Sequence, residues 1–313
     1  MKALRTPAER FVVLPDYPFA EHFVEVDDHE GSHLRVHFVD EGPRDADPVV
    51  LMHGEPTWSF LYRHMISRLV AAGHRVIAPD LVGFGKSDKP SEQRDYTYAR
   101  HVSWMAQTLF DHLSIRRATI FGQDWGGLIG LRLVAAEPER FARVVMSNTG
   151  LPTGERPLSD AFMAWQKFSQ TTPEFEVGKI VRGGCAVRPA AEVVAAYDAP
   201  FPDDTYKAGA RILPSLVPTS VDDPSHRDNV TAWGVLEKFE RPFLCCFGDS
   251  DPVTKGGDAI FLRRVPGTNG QPHVTVAGGG HFIQEDKGIE LATIIDDFIR
   301  NTPPSKISGG DNR

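Results

Sequence analysis

Between Ala118 and Pro138 the chain has room for only one local structure. Ala118-Thr119-Ile120-Phe121 is β-branched and apolar, as a buried strand is. Gly122-Gln123-Asp124-Trp125-Gly126-Gly127 is a sharp turn bracketed by glycines, and the residues from Gly127 to Glu137 have helical spacing and stop before Pro138. Strand, strained turn and helix in direct succession hold one side chain at the strand's end, free for attack. That position carries Asp124 in place of the more usual hydroxyl. A carboxylate needs no deprotonation and forms an alkyl ester, so it suits attack on a carbon bearing a leaving group. The bland alternative is an ordinary Asp N-cap, whose side chain would accept from the first helical N–H groups.

Strand and helix signals alternate along most of the chain. Phe23–Val26 and Leu34–Asp40 read as an antiparallel pair, Pro48–Met52 as a third strand and Arg75–Pro79 as a fourth. Ser59–Ala72 is amphipathic, and Tyr96–Leu113 reads as a long helix. After the turn helix comes Val144–Ser147, the sixth strand. Phe243–Phe247 and His273–Val276 are the seventh and eighth, with a helix at Asp258–Arg264 between them and a last one at Asp286–Arg300. The pattern predicts an α/β fold: a mostly parallel central sheet with helices on both faces. From Leu151 to Leu236 the alternation stops. Helical pieces at Ser159–Gln170 and Ala190–Tyr197 sit in a proline-rich stretch too long for a loop. We expect a core of residues 1–150 and 237–313 with a helical cap, 151–236, inserted between the sixth and seventh strands.

With 313 residues, a formal charge of −8 and no Lys/Arg run, a nucleic-acid partner is not expected. No apolar segment reaches membrane-spanning length, and the first 20 residues lack the apolar core of a signal peptide. Cys185, Cys245 and Cys246 have neither metal-ligand nor disulfide spacing, which fits a reducing cytoplasm. A monomer is expected. The polar tail Asn301–Arg313 is expected to fray.

Two further residues complete a chemical set. Asp251, in Gly248-Asp249-Ser250-Asp251-Pro252, follows the seventh strand, and His281, in Gly278-Gly279-Gly280-His281-Phe282, follows the eighth. Nucleophile, acid and histidine in this chain order, each at a strand end, is the triad order of α/β-hydrolases. His281 reads as the base and Asp251 as the acid that orients it, with Asp249 as its competitor; the sixth strand ends Met146-Ser147-Asn148-Thr149 without a carboxylate. In His53-Gly54-Glu55-Pro56, the backbone N–H of Glu55, with that of Trp125, is the candidate oxyanion hole. The Glu55 side chain either positions water or is paired in its loop. The Trp125 indole N–H, a donor only, suits an anion, or else the ring is core. Phe162, Trp165 and Phe168 recur at helical spacing, as core or as the wall of an apolar pocket. Gly83-Phe84-Gly85-Lys86-Ser87 lacks the P-loop spacing and reads as a structural turn.

Together these residues resemble the haloalkane dehalogenases of the α/β-hydrolase superfamily, from about Phe11 to Ile299. The likeness rests on His53–Trp58, Asp80–Asp88, Gly122–Gly127, Ala161–Trp165, Tyr197–Pro202 and His281–Glu285. It is to the branch with Glu after His-Gly, whose second halide ligand is a cap tryptophan; Trp165 matches that position. The resemblance implies Asp124 as nucleophile, His281 as base, Asp251 as acid and Trp125 with Trp165 as halide clamp. It places Phe162, and less directly Pro214 and Val217, on the pocket wall. The implied ligands are a small haloalkane, water and halide, with no metal or organic cofactor. Epoxide hydrolases share the Asp turn and His-Gly-x-Pro, and would protonate the ring oxygen with cap tyrosines, for which Tyr197 and Tyr206 are available. A non-catalytic ligand-binding relative is the third reading.

Overall fold

The computed structural model describes residues 1–303, so the expected frayed tail beyond Pro303 lies outside the described residues. Eight strands form one sheet: β1 (His22–Asp27), β2 (His33–Glu41), β3 (Pro48–Met52), β4 (Arg75–Pro79), β5 (Ala118–Gln123), β6 (Phe141–Ser147), β7 (Phe243–Gly248) and β8 (Val274–Val276). Their order is β8-β7-β6-β5-β3-β4-β2-β1. β1 pairs β2 and β2 pairs β4 antiparallel; every other pairing is parallel. Every residue of β3, β5 and β7 is buried, as in strands covered on both faces. This is the α/β-hydrolase fold.

Helices α1 (Arg63–Ala71), α2 (Tyr98–Ala106) and α3 (Trp125–Ala136) connect the first strands. Between β6 and β7 the chain adds no strand but five helices: α4 (Asp160–Thr171), α5 (Val177–Gly184), α6 (Ala191–Asp198), α7 (Ala208–Ile212) and α8 (His226–Leu236). Helices α9 (Asp258–Arg264) and α10 (Ile283–Asn301) finish the core.

Several boundaries differ from expectation for physical reasons. Ser59–Tyr62 is a 3-10 turn before α1, with all four residues buried, so no amphipathic face begins there. The long helix after Tyr96 is α only to Ala106 and widens to a π-helix over Gln107–His112. The last helix starts at Ile283, three residues before the expected Asp286, and breaks at Lys287. Ala3–Leu4 pairs antiparallel with Lys89–Pro90, a short ribbon with no sequence signal.

The Asp80–Lys89 turn is scaffold. Buried Asp80 accepts from Ser59 N (2.7 Å) and Lys86 N (2.8 Å), and its carboxylate meets His37 Nδ1 at 2.8 Å. Lys89 Nζ donates to the carbonyls of Gly85 (2.7 Å) and Ser87 (2.9 Å), and burial lowers its pKa to about 7.

Candidate active site

β3 and β5 are neighbours in register, with Met52 opposite Gly122, so the loops that leave their carboxyl ends must meet. Their contact needs glycine twice. A Cβ on Gly126 would collide with the Met52 carbonyl, and one on Gly54 with the Asp124 carboxylate. Asp124 itself has φ +51° and ψ −127°, a costly conformation for a residue with a side chain. Its carboxylate caps no helical N–H, which removes the N-cap reading. Instead Asp124 Oδ1 accepts from the Glu55 backbone N–H at 2.8 Å. The Trp125 backbone N–H, first of α3, has no acceptor among the described residues.

His281 Nε2 stands 3.6 Å from Asp124 Oδ2, and Nδ1 stands 3.0 Å from Asp251 Oδ2. Asp251 is fully buried and is fixed by the Val253 N–H (2.8 Å) and the Thr254 hydroxyl. Asp249 points elsewhere, accepting from Gly278 N (2.9 Å) and Ser250 Oγ (2.7 Å). Burial opposes charge on the imidazole, but the carboxylates of Asp251 and Asp124 flank it and raise its pKa to about 10. Burial likewise opposes charge on Asp251, and His281 reverses the balance and holds its pKa below the usual carboxylate range.

Two residues that sequence reasoning passed over hold this arrangement. Asn148, at φ +39°, donates to the Gly280 carbonyl (2.7 Å) and accepts from Gly248 N (2.8 Å), tying the ends of β6 and β7 to the histidine loop. Gln123 Nε2 donates to the His281 carbonyl at 3.0 Å. Only their place at strand ends beside the triad could have marked them.

A cavity of about 870 Å³ opens over Asp124, with Glu55, Phe162, Trp165, Phe168 and His281 on its walls. Trp165 stacks on Phe168, centroids 5.7 Å apart, and its indole lies by the Glu55 carboxyl. Glu55 is 3% exposed and its Oε1 has no partner among the described residues. Burial, reinforced by the charge of Asp124, drives its pKa well above the ordinary value. Trp125 is buried below the cavity rather than on its wall, edge-on to Tyr98 at 4.9 Å. Trp58, Trp104 and Trp233 donate their indole N–H groups to backbone carbonyls; that of Trp165 is directed at the Glu55 carboxyl, and that of Trp125 has no hydrogen-bond acceptor among the described residues.

A second cavity, about 650 Å³, reaches Asp124 from the other side and carries Val217 on its wall. Pro214, expected as a pocket residue, lines neither cavity: it is buried in the Leu213–Leu216 turn, where its carbonyl accepts from Gln166. The tyrosines of the epoxide hydrolase reading do not converge on Asp124 either. Buried Tyr197 donates to Glu285 Oε2 at 2.6 Å, in a cluster where Arg63 also grips Glu285, and Tyr206 lines neither cavity.

Among the described residues no helix is long and apolar enough to cross a membrane. The family model of the alpha/beta hydrolase fold matches residues 47–288. A haloalkane dehalogenase of Psychrobacter cryohalolentis is 57% identical over 97% of this chain and all of the relative. One from Mycolicibacterium paratuberculosis is 51% identical over 93% of this chain and 96% of its own. The solved haloalkane dehalogenase of Paraglaciecola agarilytica superposes with a TM-score of 0.87 at 36% identity, over 94% of this chain and 97% of that one. That relative is tetrameric, which leaves the expectation of a monomer without support. A hydrolase fold spanning the chain, with relatives of this identity over nearly its whole length, makes the chain a member of the haloalkane dehalogenases, hydrolases that act on carbon–halogen bonds.

Proposed function

We propose that the enzyme hydrolyses small haloalkanes through a covalent ester on Asp124. The observation that carries this reading is one carboxylate addressed from two sides: Glu55 N–H on Oδ1 and His281 Nε2 near Oδ2. Oδ2 displaces halide in line from the substrate carbon, forming the C–O bond as the carbon–halogen bond breaks. The indole N–H groups of Trp125 and Trp165 then stabilise the charge developing on halide. The helical segment 151–236 acts as the cap that keeps water away and so strengthens those contacts.

The same charges give the two steps their order. While Asp124 is a carboxylate, His281 is an imidazolium and cannot act as a base. Esterification removes one of the two negative charges that hold the proton, so the imidazole pKa falls toward its ordinary value. His281, kept in the right tautomer by Asp251, then takes a proton from water, whose oxygen attacks the Asp124 carbonyl carbon. The Glu55 and Trp125 N–H groups hold the oxyanion, and collapse releases the alcohol, restores Asp124 and yields one proton.

His281→Phe tests this. The variant is expected to complete the displacement and stop, so that mass spectrometry after a bromoalkane finds the enzyme heavier by one alkyl group on the peptide containing Asp124. Unmodified protein with halide released would refute the covalent route.

A further inference from the structure

The two cavities meet at three residues, Asp124, Phe162 and Val253, so Asp124 has two routes to solvent. Phe162 stands between them. Ser159 fixes its place by accepting from Phe162 N and donating to the Val253 carbonyl at 3.0 Å. The two mouths differ in charge. The larger cavity is rimmed by Glu174, Glu176 and Lys179; Lys179 pairs with Glu176 at 2.7 Å, and Glu174 has no cation partner among the described residues. The second is rimmed by Arg156, Lys255, Arg263 and Arg264 against Glu155 and Glu237. Glu237 is engaged by Arg264 at 2.8 Å, while Arg156, Lys255 and Arg263 have no carboxylate partner among the described residues. All three are exposed, so nothing in the packing of the core requires them.

We infer that the smaller cavity is an anion exit, through which halide leaves while the neutral haloalkane is admitted by the larger, apolar one. The inference rests on the dehalogenase reading and adds a direction to it. A neutral substrate does not feel the charge of either mouth. A halide does: a basic rim lowers its energy along the smaller route, and an acidic rim raises it along the other. The restored Asp124 carboxylate at the junction repels the ion as soon as hydrolysis is complete.

The test is the rate of iodide association, read by stopped-flow tryptophan quenching at low ionic strength, which needs no turnover. In R156E/K255E/R263E it is expected to fall about ten-fold or more, the scale on which a charged cleft steers small ions. The difference should close at an ionic strength near 1 M, set with sodium sulfate, where screening acts within about 3 Å. E174K/E176K removes the acidic rim that bars anions from the other mouth, so it should raise iodide association rather than lower it. The kcat/KM for a neutral bromoalkane should be unchanged in both variants. The exit is overturned, with the dehalogenase reading intact, if the triple variant takes up iodide at the wild-type rate, or if E174K/E176K lowers that rate as the triple variant does. Absence of halide release from any haloalkane by the wild type would instead remove the dehalogenase reading, and the exit with it.

Discussion

Replacing Asp251 by Asn removes one charge and almost no volume, and its effect can be worked out from three hydrogen bonds. Asp251 accepts from Val253 N at 2.8 Å, from the Thr254 hydroxyl and from His281 Nδ1 at 3.0 Å. Asn has one acceptor oxygen. If it keeps the Val253 bond, its NH₂ faces His281 Nδ1, which must then accept, and the imidazole proton moves to Nε2. The atom that should take a proton from water then carries one. If the amide turns over, two donors face each other at Val253, at a cost of about 1–3 kcal/mol, so the first arrangement wins. The analogous change in a serine protease triad costs about four orders of magnitude, or about 5 kcal/mol of activation free energy. A loss on that scale is expected in ester hydrolysis alone, because displacement needs no base. Rapid-quench assays of D251N should therefore show a burst of halide equal to the enzyme present, then turnover slower by about four orders of magnitude. Asp249→Asn should retain near-wild-type turnover, since its bonds to Gly278 and Ser250 do not reach the histidine. Equal losses in the two variants, or a D251N loss without a burst, would refute this account.

The raised pKa of His281 also predicts a pH dependence of stability. Its folded value, about 10, exceeds the ordinary 6.5, so the contribution is complete below about pH 6.5 and is lost as pH rises through 10. Thermal melts of the wild type and His281→Phe should accordingly converge between those limits, and a constant gap would count against the imidazolium. Trp165→Phe keeps the stack on Phe168 but removes an N–H; a hydrogen bond to a charged partner contributes about 1.5–3 kcal/mol, so bromide affinity by fluorescence titration should fall ten-fold or more. A loss of melting temperature with unchanged bromide affinity would make Trp165 mere packing. Glu285→Ala leaves the Arg63 charge buried and the Tyr197 hydroxyl without its acceptor, and denaturant melts should show a loss of about 3–5 kcal/mol. Little loss would mean that the cluster does not hold the inserted helices to the core.

The elements that could be read in the sequence are those in which local sterics or chemistry leave little choice. Gly126 is demanded by the approach of Met52, and the central strands β3, β5 and β7 were found because buried parallel strands are continuous apolar runs. Asp251 was preferred to Asp249 from its place in the turn, and the structure brings only Asp251 to His281. What escaped depends on partners far along the chain. Tyr197 looked available to a substrate because Glu285, its acceptor, lies 88 positions away. Asn148 carries no chemistry of its own, and its bonds to residues 100 and 132 positions distant exist only once the sheet has formed. Helices α5, α7 and α8 escaped because the inserted segment is rich in prolines and its helices do not alternate with strands; α5 packs on α6, and α8 on α3.

The bond from Glu55 N–H to Asp124 Oδ1 has a consequence for the fate of individual atoms. In the proposed cycle the oxygen held there accepts the same donor as carboxylate, as ester carbonyl and as oxyanion, and never meets the substrate. The other oxygen leaves inside the alcohol at each turnover and is replaced from water. Enzyme cycling in ¹⁸O-water would thus carry one heavy atom on Asp124 and never two, however many turnovers it completes. A nucleophile free to rotate between cycles would scramble both positions. The isotopic pattern of a single peptide therefore records whether this loop grips its carboxylate for the lifetime of the enzyme or only for the duration of one reaction.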